Sequence, residues 1–230
     1  VVTRMIDLHV YFVDLVQKKV VAKTLAGLGM ADVAVNPSQH GAYVLNPLAK
    51  SLKIFDMNTY RLSDTITLEK FPKAIDVNPE EQTVIITNYL DQTLTKIDLL
   101  TRRSIISPVN RYPLDVAWNT IDNRAVVLCD LDRKLLLLDL NAYATLNTYL
   151  LPRHPQSVAV NSLRNIAVVA DDETDGLTII PLPLSPTLPK IAITSPLDNA
   201  QLSSETVNVS GTVENSTKVT VNGTAASVSG

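Results

Sequence analysis

The sequence has 230 residues and a formal net charge of −3, with 20 Lys and Arg against 23 Asp and Glu. This balance excludes the concentrated basic surface of a nucleic-acid binder, and an aromatic content of 5% leaves few rings on which bases could stack. A single cysteine, Cys129, excludes an internal disulfide and a cysteine-based zinc or haem site. No apolar run approaches the ~20 residues of a membrane-spanning helix, so we expect no such segment.

A repeat of about 42 residues runs through the first four-fifths of the chain. Asparagines that each end an apolar stretch are spaced 42, 41 and 42 residues apart, at Asn36, Asn78, Asn119 and Asn161. Aspartates are spaced 42, 42 and 41 residues apart, at Asp14, Asp56, Asp98 and Asp139. Two independent sets with one period indicate a repeat architecture. We interpret both sets as structural, because Asn and Asp side chains accept backbone N–H groups in turns.

Each repeat contains four short stretches that alternate in polarity or are wholly apolar, with turn residues between them. From Asp32 to Leu68 these stretches are Val33–Val35, Ala42–Leu45, Ser51–Phe55 and Ser63–Leu68. Four short antiparallel strands in ~40 residues are typical of one blade of a β-propeller. We expect the first stretch of each repeat to be the innermost strand, at Val33–Val35, Ile75–Val77, Val116–Trp118 and Val158–Val160.

The segments VAVNP (33–37), AYVLN (42–46) and LKIFD (52–56) resemble the YVTN-type β-propeller repeat, which typically reads VAVSPDG, VYVAN and VSVID. The resemblance implies an all-β propeller fold for about four-fifths of the chain. It departs from the family in its glycine-poor lead-ins, since Gly27 and Gly29 alone precede the first full repeat. It implies little about activity, because one fold carries many functions.

The repeat predicts between four and five blades, whereas a propeller typically closes with four to eight. Residues 1–25 match the second to fourth strands of a blade, and the last repeat reaches prolines after its third strand. We therefore expect residues 1–182 to be an incomplete propeller, with further blades before Val1.

A proline-rich stretch separates the repeats from a different composition. Prolines crowd residues 181–189, and we interpret 183–189 as an extended linker. Residues 190–230 are rich in Ser, Thr, Val and Asn, and Asn222-Gly223 is a favourable type I′ turn pair. This part resembles the opening strands of a bacterial immunoglobulin-like module, a β-sandwich of ~100 residues when complete. We interpret the glycosylation sequons at Asn208, Asn215 and Asn222 as chance matches.

One repeated pattern suggests a binding face. A basic residue, a ring and a proline precede three of the predicted innermost strands, at Lys70-Phe71-Pro72, Arg111-Tyr112-Pro113 and Arg153-His154-Pro155. These loops should lie at one propeller face, together with acceptor-rich turns near Asn46, Asn88–Asp91, Asp130–Asp132 and Asp171-Asp172. On a structural interpretation, the rings pack between blades and the bases stay solvated or pair with the aspartates. On a functional interpretation, an anionic ligand or a partner protein binds Lys70, Phe71, Arg111, Tyr112, Arg153 and His154.

No catalytic motif, phosphate loop or metal-ligand pattern occurs in the sequence. His9, His40 and His154 occupy different repeat positions, and Cys129 is expected to be a buried, inert thiol. The sequence therefore predicts no metal and no cofactor. It predicts a non-enzymatic, exported binding or scaffold module with protein partners, at the cell surface or in an extracellular assembly. A periplasmic location and a lactonase-type hydrolase with a site at the channel mouth are the alternatives.

Overall fold

The computed structural model describes residues 1–3, 7–151, 154–171, 176–183, 190–196, 209–214, 220–221 and 224–225. The chain divides into two compact units, Val1–Leu182 and Pro183–Gly230. Regular structure in the described residues is antiparallel β-sheet, apart from one short 3-10 turn at Pro37–Gln39. No helix in this part of the chain is long and apolar enough to cross a membrane.

The described residues of the first unit form five sheets, which we number I to V in chain order. Sheet I pairs β1 (His9–Asp14) with β2 (Lys19–Leu25), and Val2 forms an isolated bridge to Tyr11. Sheets II, III and IV each have four strands in sequence order. Sheet II contains β3 (Val33–Asn36), β4 (Gly41–Asn46), β5 (Ser51–Asp56) and β6 (Arg61–Thr67). Sheet III contains β7 (Ala74–Asn78), β8 (Thr83–Asn88), β9 (Thr93–Asp98) and β10 (Ser104–Pro108). Sheet IV contains β11 (Pro113–Asn119), β12 (Arg124–Cys129), β13 (Lys134–Asp139) and β14 (Ala144–Leu150). Sheet V contains β15 (Pro155–Asn161), β16 (Ile166–Asp171) and β17 (Leu177–Pro181).

The arrangement of these sheets is propeller-like. The first strands of neighbouring sheets contact one another in order, β3 with β7, β7 with β11 and β11 with β15. The fourth strands β6, β10 and β14 are mostly exposed. Because the sheets meet at their first strands and expose their fourth, the structure confirms the predicted innermost strands.

The core lies between consecutive sheets. All residues of the second strands β4, β8 and β12 are buried, since each of these strands has a sheet on both sides. Apolar clusters join sheet I to II around Phe12 and Phe55, and sheet III to IV around Trp118 and Leu136. Strands β1 and β16 bury only alternate residues, as expected for sheets with one covered face.

The repeated aspartates form the turns that follow the third strands. Asp56 Oδ1 accepts the N–H groups of Asn58 at 2.7 Å and Thr59 at 3.0 Å. Asp14, Asp98 and Asp139 accept the equivalent pairs of N–H groups, which confirms the predicted Asx turns. The backbone N–H donors lower the pKa of Asp56 and of Asp98.

The repeated asparagines cap the turns that follow three of the first strands. Asn36 Oδ1 accepts from Ser38 N at 3.0 Å, Asn78 Oδ1 from Glu80 N at 3.0 Å, and Asn161 Oδ1 from Arg164 N at 3.1 Å. The structural prediction is confirmed for these residues. Asn119 differs: its Nδ2 donates to Asn165 Oδ1 at 2.5 Å, in the turn of the next sheet.

A buried ion pair follows Asn119 in the same turn. Nε of Arg124 lies 3.0 Å from Oδ2 of Asp122, at an angle outside hydrogen-bond geometry, and the two side chains are only 4% and 2% exposed. Burial raises the pKa of Asp122, and the Arg124 guanidinium opposes that rise. Gly41, Thr83 and Ile166 occupy the position of Arg124 in sheets II, III and V, so this pair is particular to sheet IV.

In sheet V the described residues form three strands, and Pro181 disfavours a fourth strand beside β17. Pro181 occupies the repeat position of Asp14, Asp56, Asp98 and Asp139, and has no carboxylate with which to form an Asx turn. In sheet III the N–H of Asp98 also donates to the carbonyl of Arg103 at 3.0 Å, a hydrogen bond that proline cannot make. Pro181 therefore lacks the contacts with which Asp98 joins β9 to β10.

The second unit is described in part. β18 (Lys190–Ser195) pairs with β19 (Ser210–Glu214), and β20 (Thr220–Val221) pairs with β21 (Thr224–Ala225). Asn222 and Gly223, the predicted turn pair, lie outside the described residues, as do the sequon asparagines Asn208 and Asn215.

Candidate functional site

The loops that precede β7 and β11 meet the turns that follow the second strands. The N–H of Phe71 donates to Asp91 Oδ2 at 3.0 Å, and the N–H of Arg111 donates to Asp132 Oδ2 at 3.2 Å. The N–H of Asp130 donates to the carbonyl of Tyr112 at 3.1 Å. These hydrogen bonds place both groups of loops at one end of the sheets, which we call the upper end. The lower end carries the turns after the first and third strands.

Lys70 and Phe71 are held by their neighbours. Nζ of Lys70 lies 3.5 Å from Oδ1 of Asp91, in a partly exposed ion pair. The Phe71 ring is 43% exposed, and Nζ of Lys50 lies 4.0 Å from its centroid, within cation–π distance. Both contacts agree with the structural interpretation, and the exposed ring surface still faces solvent.

Tyr112 belongs to an aromatic and acidic cluster. Its ring centroid is 5.1 Å from that of Tyr89, and the Tyr89 hydroxyl donates to Asp130 Oδ2 at 3.3 Å. Burial raises the pKa of Tyr89, and the negative charge of Asp130 raises it further. Nδ1 of His154 lies 3.4 Å from the other carboxylate oxygen of Asp130. Asp130 therefore links the loops that precede β11 and β15.

Two candidate residues do not join this cluster. Arg111 is exposed and forms no ion pair with any residue that the structure describes. Arg153 lies outside the described residues. The structure thus brings Tyr112 and His154 together around Asp130, whereas Lys70 and Phe71 form a separate group around Asp91.

Sequence reasoning missed three aspartates that join the first strands. Asp32 accepts from its neighbour Val33 and, through Oδ2, from the N–H of Ile75 in the next sheet at 2.9 Å. Asp76 Oδ2 accepts from the N–H of Trp118 at 2.7 Å, and Asp115 Oδ2 from the N–H of Val158 at 2.8 Å. Each carboxylate therefore bridges two sheets with charge-assisted hydrogen bonds.

The bridging aspartates have unusual acidities. Burial raises the pKa of Asp32 and of Asp76, while the backbone N–H donors oppose the rise. The negative charge of Asp115 raises the pKa of Asp32 and of Asp76 further, so the three carboxylates interact electrostatically. When the pKa of an aspartate is higher in the folded state than the unfolded value of 3.8, the folded state binds the proton more tightly. The resulting stabilisation is fully present below pH 3.8 and is lost as the pH rises through the raised pKa.

The raised pKa of Asp76 predicts how the stability of the protein should depend on pH. On acidification from pH 7 to about 4, we expect the melting temperature of wild type to gain more than that of Asp76→Asn, because the variant lacks the raised titration. Below pH 3.8 both proteins should lose stability, since the contributions of Asp56 and Asp98 vanish as the pH falls through their lowered pKa values. Circular dichroism melts over this range measure the difference, and parallel curves would contradict the assignment.

In the part of the upper end that the structure describes, cavities and reactive groups add no second site. A cavity of about 70 Å³ between sheets II and III, lined in part by Ile66, Lys70 and Asn88, is far smaller than the ~300–1,000 Å³ of a ligand pocket. Cys129 is fully buried, and burial raises its pKa to about 12, as expected for an inert thiol. Among the described residues, no three His, Cys, Asp or Glu side chains are grouped to hold a metal ion.

Comparison with known proteins supports the fold class. No family model and no curated protein matches the chain. Matches to solved structures number 1342 chains, so the architecture is common and does not single out a function. One of them is the hydrazine synthase of Kuenenia stuttgartiensis, a protein that contains a β-propeller, with a TM-score of 0.61 and 17% identity over 70% of this chain. The chain spans 49% of the length of that chain. A likeness at this identity shows the fold alone, and it defines an all-β, propeller-like protein.

Proposed function

We propose that this protein is an exported, non-enzymatic binding or scaffold module, in which YVTN-type propeller blades present the upper end to a protein partner or ligand. In this proposal residues 190–230 open an immunoglobulin-like module that follows the propeller, at the cell surface or, alternatively, in the periplasm. The observation that carries the proposal is the repeated presentation of exposed rings and charges. Phe71, Arg111 and His154 sit at neighbouring repeat positions of one end, on loops anchored by hydrogen bonds to the adjacent turns.

The hydrolase alternative has less support at this end. The carboxylates there already accept hydrogen bonds from protein groups: Asp91 from the N–H of Phe71, Asp130 from Tyr89, and Asp132 from the N–H of Arg111. A general base must reach the proton that it abstracts, and one oxygen of each of these carboxylates already accepts a hydrogen bond from a protein group. Hydrolysis of a panel of lactones by the wild-type protein would nevertheless contradict the non-enzymatic proposal.

A charge-reversal variant tests the binding face. We expect the triple variant Lys70→Glu, Arg111→Glu, Arg153→Glu to capture less of its partner, with the largest loss at low salt, because rim charges act mainly on encounter rate. Immobilised wild type first identifies the partner in an envelope extract by mass spectrometry. Capture of that partner is then compared for both proteins at low and high salt.

The chain offers a matched control at the lower end. Lys19, Arg61 and Arg103 are exposed and lie 42 residues apart; Lys19 and Arg61 begin β2 and β6, and Arg103 directly precedes β10. The variant Lys19→Glu, Arg61→Glu, Arg103→Glu makes the same change in net charge and should capture the partner as wild type does. Equal capture by both folded triple variants would assign Lys70 and Arg111 to the structural interpretation.

A further inference from the structure

Sheet V has an apolar face that points away from sheet IV. The side chains on this face alternate along the strands with those that pack on sheet IV, and they are Ala159, Ile166, Val168, Ala170, Leu177 and Ile179. Leu177 and Ile179 are 71% and 64% exposed, and Ala159 is exposed as well. We call this surface the open face of sheet V.

The same repeat positions are buried in sheet IV. Five of the six residues on the open face have an apolar counterpart 42 residues earlier, and these counterparts are Ala117, Val126, Leu128, Leu135 and Leu137. The counterparts are at most 6% exposed, because sheet V packs on them. The open face therefore has the composition of a face that this repeat normally covers, and burying it against a second apolar surface is favourable.

Sheet I also has a face that no described sheet covers, and that face is polar. The Asp7 carboxylate accepts from the Tyr11 hydroxyl, and one of its oxygens lies 2.9 Å from Nδ1 of His9. Nζ of Lys23 lies 5.3 Å from the centroid of the Tyr11 ring. Packing sheet V of one copy on sheet I of another would take a carboxylate and an ammonium group out of water against an apolar surface, which is unfavourable.

The open face of sheet V is instead complementary to a second copy of itself. Apart from His154, the charged residues that the structure describes in this sheet and its turns are Arg164, at the lower end, and Asp171, at the upper end. Two such faces related by a two-fold axis across the strands bring Arg164 of each copy toward Asp171 of the other. Val168, in the middle of β16, then lies close to its own copy.

From these features we propose that two copies of this chain associate by packing the open faces of their sheets V on each other. Apolar sheet faces stack in this way ~10 Å apart in β-sandwiches. A two-fold contact of this kind uses the same surface in both copies, so association stops at the dimer. The inference is independent of the proposed binding function, because the open face is a different surface from the upper end.

The size of the face sets the expected strength. Three strands of about six residues give a face of roughly 14 by 20 Å, which is small for a protein interface. We therefore expect a reversible dimer with a dissociation constant in the micromolar range. Sedimentation equilibrium of the 230-residue chain from about 1 to 200 µM should show the mass rising from monomer to dimer.

Lysines on the open face should break the dimer. In the variant Leu177→Lys, Ile179→Lys we expect the dissociation constant to rise about tenfold or more, because four ammonium groups enter an apolar interface. Both side chains are exposed in a single copy, so the dilute variant should melt as wild type does. Leu177→Thr, Ile179→Thr provides an uncharged version that keeps the preference for β-strand.

The fourth strands offer a matched control. Ile105 on β10 and Leu146 on β14 are 49% and 48% exposed, so the pair has the same residue types in the same kind of strand. The variant Ile105→Lys, Leu146→Lys adds the same charge and should dimerise as wild type does. Equal weakening by both lysine pairs would overturn the proposal.

Cross-linking tests the two-fold arrangement. The single cysteine, Cys129, is fully buried, so the variant Val168→Cys adds a thiol that a short bismaleimide can join to the same residue of the second copy. The variant Ile105→Cys should remain unlinked. Dimers without a link at position 168, or a series of larger oligomers, would overturn the proposal. A chain that stays monomeric at every concentration would overturn it too, and slow maleimide labelling of monomeric Val168→Cys would then assign the cover of this face to the same chain.

None of these outcomes changes the capture of a partner through the upper end. Failure of the dimer and failure of the proposed function are therefore separate results.

Discussion

Arg124→Ala is expected to lower the free energy of unfolding by about 3–5 kcal/mol, because it leaves Asp122 as a buried charge without its partner. The Asp122 side chain is 2% exposed, so water cannot replace the guanidinium without opening the turn between β11 and β12. Urea unfolding followed by circular dichroism measures the change, with an unchanged dependence on denaturant as the sign of an intact fold.

A double-mutant comparison separates the pair from the general cost of truncation. Replacing both residues, with Asp122→Asn and Arg124→Met, removes the two charges and keeps most of the volume. We expect this protein to be more stable than Arg124→Ala, since removal of a whole buried pair is often close to neutral. If the double variant were as unstable as the single one, packing of the arginine stem would explain the loss instead.

The second large effect is expected at the link between sheets IV and V. Asp115 accepts from Val116 N at 2.9 Å, Val158 N at 2.8 Å and Ser157 Oγ at 2.8 Å. Asp115→Ala leaves two largely buried N–H groups without an acceptor, at a cost of about 2–4 kcal/mol if each costs ~1–2 kcal/mol. The loss should be concentrated in sheet V, where amide hydrogen exchange of Val158 and its strand should accelerate most.

Ser157→Ala is the matched control, because it removes a single hydroxyl donor from the same carboxylate. We expect it to cost about 1 kcal/mol, with little change in the exchange of Val158. Uniformly faster exchange across sheets II to V in Asp115→Ala would show that the carboxylate supports the whole unit rather than this junction.

The sequence predicts the features of this protein that repeat in register. First strands and Asx turns recur because every sheet needs the same turn chemistry, and side chains such as Asp56 and Asp98 meet that need locally. Their positions are therefore visible as a period without any knowledge of the packing. The placement of Lys70 and Arg111 at one end follows from the same period.

Contacts made by residues that do not recur at one repeat position cannot be predicted in this way. Asp32 and Asp115 stand four residues before the repeated asparagine, whereas Asp76 stands two residues before it. The three bridging carboxylates thus form no aligned set, although they perform one task. Arg124 is hidden for a similar reason, because Thr83 and Ile166 occupy its position in the neighbouring sheets. Tyr89 and Tyr112 likewise pair only once the turn of sheet III meets the loop before β11.

The proline at the end of β17 also governs how the unit behaves toward other chains. An uncovered strand edge is a template on which any extended polypeptide can pair, and this makes such edges a starting point for aggregation. The N–H of Leu182 donates to the carbonyl of Asn165, on the side of β16. Because successive N–H groups of a strand alternate in direction, those of Leu177 and Ile179 point to the outer edge of β17. Pro181 follows the same alternation but has no N–H to offer at that edge. A strand that pairs along this edge meets a gap in the ladder at its third position. Pro181 thus makes the outer edge of β17, which pairs with no further strand among the described residues, a poor template for polymerisation.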